Sequence, residues 1–198
     1  MLAINLIKRR LRDQFRGKGL RIFTDGLPKD LSGARALAKK DRFEFEYWAL
    51  DLVNAMPAQS KTKENMRGAD KGIDGVITTF LDKINGKDEY GKLLVQVKSG
   101  KVQRNDIATL KGDVERERAV GGVFITLEEP TKPMLQEAVL AGAYKVSYSP
   151  KEFPKIQIIS VKDLLAGKQP EVPLWTKPYY KEAQKIEEAS DKQMELEM

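Results

Sequence analysis

Three short apolar runs, Leu93–Lys98, Val123–Leu127 and Lys155–Ser160, are separated by two charged segments with helical periodicity, Asp106–Arg118 and Pro130–Ala143. Strands divided by helices of that length build an α/β sheet rather than a sandwich or a bundle. A further strand, Ile73–Leu81, leads toward Leu93 through Asn85-Gly86 and Gly91, the composition of a hairpin. Upstream, residues 41–55 read as a helix. Asp41 stands at the N-cap with Glu44 three places on, and Phe45, Trp48, Ala49, Leu52 and Val53 form its buried stripe. Met56-Pro57 ends it. Val161–Ala166 adds a short helix, and the whole order predicts a mixed central sheet flanked by helices.

The flanks are simpler. Residues 4–16 read as a basic amphipathic helix with Ile4, Ile7 and Leu11 at helical spacing. Leu20–Thr24 reads as a short strand among glycines, and Ser32 as the cap of a turn or helix over Ala34–Ala38. Residues 58–71 are a polar loop, and a Pro-rich stretch, Pro170–Pro178, precedes a charged helix or tail. The expected organisation is a basic N-terminal helix and linker over 1–30, an α/β domain over 31–168, and a Pro-rich linker with a charged helix or tail over 169–198. No Walker A loop and no Gly-x-Gly-x-x-Gly after a strand is present, so nucleotide-cofactor readings lack support.

Composition narrows the chemistry further. The chain has no cysteine and no histidine. Disulfides, zinc fingers, thiol nucleophiles and histidine bases are therefore impossible. Any bound metal must take oxygen ligands, which favours magnesium or manganese. No apolar run approaches the ~18 residues of a membrane span. The N-terminal apolar run precedes its basic residues, the reverse of a signal peptide, so a cytoplasmic protein is expected. Residues 1–42 carry twelve Lys/Arg against four Asp, a net +8, while residues 181–198 are net −3. A basic arm beside a near-neutral body fits binding to a phosphate backbone.

One constellation carries chemistry: Gly72-Ile73-Asp74-Gly75, a hairpin, then Val95-Gln96-Val97-Lys98-Ser99-Gly100. Gln96 and Lys98 lie two apart on a strand and project from one face, opposite Leu93, Val95 and Val97. A polar pair inside an α/β sheet is costly unless a metal, a carboxylate or a substrate satisfies it. Phosphodiester hydrolysis offers the reason, because the phosphate charge must be neutralised and a water made nucleophilic. Asp74 can anchor the ion, and the Gln96 side-chain carbonyl and Val97 main-chain carbonyl can add oxygens. Lys98 can orient the attacking water and stabilise the charge that develops.

This pattern resembles the PD-(D/E)xK nuclease superfamily in its Mrr-like form, with Gln in place of the second acid. The resemblance implies a restriction-endonuclease-like fold and magnesium-dependent cleavage of DNA in a restriction or defence system. Such families place an acid on a helix before the first strand, in a Phe-Glu context. Phe45-Glu46 makes Glu46 the candidate, with Glu44 after Phe43 as the alternative. Gly68–Gly75, Val95–Gly100 and Gly122–Thr131 also resemble the nuclease-like C-terminal region of adenine-specific DNA methyltransferases. The chain has neither an Asn/Asp-Pro-Pro-Tyr motif nor an S-adenosylmethionine loop, so it is expected to be a stand-alone relative or an excised domain and not the methyltransferase itself, and the resemblance implies a DNA methyltransferase as a candidate partner. Lys61, Lys63, Arg67 and Lys71 before the first strand, and Ser99 and Lys101 after Lys98, are candidate DNA contacts. Cutting both strands calls for two sites and hence a homodimer. The alternative reading is a catalytically inactive nuclease-fold module that recruits DNA or a partner.

Overall fold

The computed structural model describes residues 2–15, 21–22, 24, 26–58 and 72–173. Its centre is a five-stranded sheet in the order β1 (Met56–Pro57), β2 (Gly75–Ile84), β3 (Lys87–Lys98), β4 (Gly121–Thr126) and β7 (Ile156–Ser160). The first three strands pair antiparallel, and β3–β4 and β4–β7 pair parallel, so the sheet is mixed as its sequence implies. The β2–β3 turn falls at Asn85-Gly86, both with positive φ (50° and 77°), the backbone a two-residue hairpin requires.

Helices cover both faces. On one, Phe45, Trp48, Ala49 and Leu50 of α3 (Arg42–Leu52) pack on Leu93, Val95, Val97 and Ile125, joined by Ala34 of α2 (Leu31–Lys40) and by Val161 and Leu164 of α6 (Val161–Leu165). On the other, Ile107, Leu110 and Val114 of α4 (Arg104–Arg116) and Met134 and Ala138 of α5 (Lys132–Leu140) pack on Leu94 and Phe124. Phe45 and Trp48, with ring centroids 5.8 Å apart, are core residues.

Local chemistry explains the helix starts. Asp41 caps α3, its Oδ1 accepting from the Phe43 and Glu44 N–H groups at 2.9 and 3.0 Å. The cap of α2 is Asp30 rather than Ser32: its Oδ1 accepts from Gly33 N–H at 2.7 Å, and the helix starts a residue before the expected cap. Helix α3 stops at Leu52, short of Met56-Pro57, which pairs with Val76 and Gly75 as edge strand β1. Ala143–Val146 and Ser149–Pro154 form a separate two-stranded hairpin, β5–β6, at the end of the predicted helix Pro130–Ala143 and beyond it.

Two amphipathic readings change. Helix α1 (Leu2–Gln14) turns Lys8 inward to pair with the buried Asp51 of α3, while Ile4 and Ile7 stay exposed. In α5, helical spacing in the sequence places Met134, Leu135, Ala138 and Val139 inward; Met134 and Ala138 are buried, but Leu135 and Val139 face out. Most of the expected strand Leu20–Thr24 lies outside the described residues, and Arg21, Ile22 and Thr24 are not in a strand. Among the described residues, no helix is long and apolar enough to cross a membrane.

Gly75 shows how tightly α3 and β1 close on the start of β2. A Cβ there would stand 2.6 Å from Leu50 Cδ2 and 2.9 Å from the Met56 carbonyl oxygen. The second neighbour is backbone and cannot rotate away. Gly75→Ala should therefore cost about 1–3 kcal/mol of overpacking strain. Urea unfolding measures it, and an unchanged midpoint would show that β1 yields freely.

Candidate active site

The parallel strands β3, β4 and β7 end on one side of the sheet, where ligands of α/β folds commonly bind. The antiparallel start of β2 meets this edge, and its register sets the site. Gly75 pairs with Val95 and Val76 with Leu94, so Asp74 stands level with Gln96.

Backbone direction does the rest. Odd-numbered residues of β3 turn their polar groups toward β2. Asp74 N–H donates to Val95 O at 2.9 Å, and Val97 N–H donates to Asp74 Oδ2 at 2.8 Å. Even-numbered residues turn toward β4, with Val120 N–H on Lys92 O and Leu127 N–H on Lys98 O, each at 2.9 Å. The Val97 carbonyl therefore projects on the side of Asp74. The Asp74 carboxylate takes the place of a ladder carbonyl, which fixes a negative charge at the end of the central strand.

Side chains of β3 alternate across the sheet. Leu93, Val95 and Val97 lie in the α3-side core, and Leu94 in the α4-side core. Gln96 and Lys98 continue the α4 side. Gln96 Oε1 is buried without a hydrogen-bond partner, a costly state for an amide oxygen. A Cβ on Gly72, whose φ of 68° suits glycine, would lie 3.5 Å from Gln96 Nε2 and 3.7 Å from Asp113 Oδ2. Gly72 thus leaves room where the Gln96 amide and the buried Asp113 approach. Asp113 Oδ1 pairs with Arg116 at 2.7 Å, and its Oδ2, like Gln96 Oε1, is buried and unpartnered.

Lys98 Nζ forms an ion pair with Asp106 Oδ1 in the first turn of α4. Asp106 Oδ2 accepts from Gln103 N–H at 2.8 Å. Sequence reasoning missed both helix acids. Asp106 stands three residues after Gln103 at the start of the charged helix, a capping spacing that marks it. Asp113 interrupts the apolar positions Ile107, Leu110 and Val114, which also sets it apart.

Glu46 is buried, and its Oε1 accepts from Arg42 Nε at 2.9 Å one turn earlier. Its helix packs on the odd-numbered face of β3, across the sheet from Gln96 and Lys98. Glu44, the alternative, is partly exposed on the same helix. Ser99 and the exposed Lys101 lie on the link from β3 to α4. Lys61, Lys63, Arg67 and Lys71 lie outside the described residues.

The donors Asp74, Gln96 Oε1 and Val97 O are all oxygen, the set a hard divalent ion prefers, and the orphaned Gln96 oxygen is an acceptor such an ion would satisfy. Among the described residues, no three His, Cys, Asp or Glu side chains form a group that could hold a metal. One carboxylate with two neutral oxygens is a set of lower charge than that.

A mixed sheet between two helical layers, with Asp74 facing Gln-x-Lys at the end of its middle strand, defines the restriction-endonuclease-like class. The chain belongs to the restriction endonuclease family Mrr_cat, whose model matches residues 37–164. This is a family of restriction-system nucleases, and domains of this type generally use divalent metal ions. Among solved structures, the chain is similar to the MspJI restriction endonuclease in complex with a 27-mer oligonucleotide. They share 13% identity over 75% of this chain and 36% of that one, with a TM-score of 0.49. It is also similar to the DNA modification-dependent restriction endonuclease AspBHI, at 13% identity over 78% of this chain and 42% of that one, with a TM-score of 0.48. The chain thus spans well under half the length of either. No curated protein matches it.

Proposed function

We propose that this chain cleaves DNA by metal-dependent phosphodiester hydrolysis at the carboxyl end of β3. The supporting observation is the Asp74 carboxylate held on the Val97 N–H, level with Gln96, whose amide oxygen is buried and unpaired. Asp74, Gln96 and the Val97 carbonyl hold magnesium, or manganese in its place. A bound divalent ion supplies charge neutralisation at the phosphate and acidifies water. Lys98 sets its ammonium against the phosphate oxygens and stabilises charge as water adds to phosphorus and one P–O ester bond breaks. Glu46, on the helix that covers the other face of the sheet, is left out of this set. Ser99, Lys101 and the basic residues Lys61, Lys63, Arg67 and Lys71 bind the DNA backbone. The protein works in the cytoplasm, as a homodimer when both strands are cut, and a DNA methyltransferase is the partner a restriction system supplies.

The deciding experiment incubates the protein with methylated and unmethylated plasmid in magnesium, manganese or EDTA. The expected result is cutting with either metal and none with EDTA. Salt-dependent DNA binding with no cleavage under any metal would overturn the reading in favour of a binding module.

A further inference from the structure

We infer that Asp106 is a positioning residue for Lys98, so that the first turn of α4, and not β3 alone, sets where the ammonium stands. The inference rests on the nuclease reading of the site. Lysine carries its charge on a flexible four-carbon stem, and the Lys98 side chain is 39% exposed, so burial alone does not fix it. Asp106 is held far more firmly. Its side chain is 11% exposed, and its Oδ2 is tied to the Gln103 N–H, independently of the lysine. A helix N-terminus also favours a negative charge there. The remaining oxygen, Oδ1, pairs with Lys98 Nζ. The carboxylate thus joins the end of β3 to the start of α4, across the link that carries Ser99 and Lys101.

Stability gives only a weak separate reason for this charge, the favourable field of the helix N-terminus. Half-exposed ion pairs contribute little to folding. The cap needs only an acceptor at residue 106, which an uncharged amide supplies equally well. What the charge adds is a fixed place for the Lys98 ammonium.

Asp106→Asn separates the two roles, since it keeps an acceptor for Gln103 N–H and removes the charge. We expect single-turnover cleavage at saturating DNA to fall about 10–100-fold, the range for a misplaced catalytic group. The dissociation constant for DNA, measured in calcium, should change less than about twofold, as for a loss confined to the transition state. Asp106→Glu, which keeps the charge, should recover part of the rate. A second readout needs no cleavage. Amine-reactive labelling read by mass spectrometry should modify Lys98 several-fold faster in Asp106→Asn than in the unaltered protein. In the unaltered protein Lys98 should also label more slowly than Lys92, whose side chain is similarly exposed at 41% but whose partner Glu117 lies at 3.4 Å. That comparison holds even if the Asn variant does not fold.

Full activity in Asp106→Asn beside a dead Lys98→Ala would overturn this inference alone. So would Lys98 labelling as fast as Lys92. Lys98→Ala cutting at the normal rate would instead overturn the site reading beneath it.

Discussion

Lys98→Ala is expected to abolish cleavage and to leave a folded protein that still binds DNA. Removing a single preorganised donor from the place where charge develops typically costs about 10²–10³ in rate, or roughly 3–4 kcal/mol. Lys98 should reach at least that, because the site has no histidine to share its work. Its side chain is 39% exposed, so truncation opens no cavity. Asp106 loses its ion-pair partner but keeps the Gln103 N–H at 2.8 Å. Unfolding free energy should thus shift by no more than about 1 kcal/mol, as for exposed ion pairs. DNA affinity in calcium should fall slightly, by the share of one cation among many phosphate contacts. A variant cutting within threefold of the unaltered rate would remove Lys98 from the chemistry. A variant that loses cutting and folding together would show a structural lysine instead.

The parts of this fold that were legible from sequence are those whose signals are local. The alternation of Leu93–Lys98 placed Gln96 and Lys98 on one face, and the observed cores divide along that line. Asn85-Gly86 marked its turn, and Asp41 its cap. The parts that escaped depend on what returns in space. Strand β1 is two residues long and borrows its identity from pairing with β2. The β5–β6 hairpin has mostly exposed residues and so little hydrophobic pattern to read. Nothing local marked Lys8 among the basic residues of α1, yet Asp51 draws it inward from forty-three residues away. Asp106 and Asp113 are ordinary acids in a charged helix until α4 folds back over β3. Glu46 carried a family-like context, but no local pattern says which face of the sheet its helix will cover.

Asp74→Asn and Asp74→Ala should separate the two jobs of one carboxylate. Asp74 Oδ2 accepts the Val97 N–H at 2.8 Å, where the β2 ladder has run out of carbonyls to offer. It also supplies the only charge among the three proposed ion ligands. Asparagine keeps an oxygen for Val97 and discards the charge. We therefore expect Asp74→Asn to unfold within about 1 kcal/mol of the unaltered protein, since its hydrogen bond survives as a neutral one. Its cleavage should fall by about three powers of ten or more. Lewis-acid stabilisation is worth several kcal/mol, and each 1.4 kcal/mol or so is tenfold in rate. Alanine should lose cleavage equally but destabilise further. It strands the N–H of Val97, a residue only 4% exposed, and an unsatisfied buried donor costs about 1–3 kcal/mol. The two variants thus predict matched activities and unmatched urea midpoints. Equal midpoints would mean that water replaces the carboxylate at Val97 without cost. An Asn variant that still cuts would mean the charge at residue 74 does not hold the ion, and the search for the anchoring acid would move to Asp113, whose buried Oδ2 lies near the Gln96 amide.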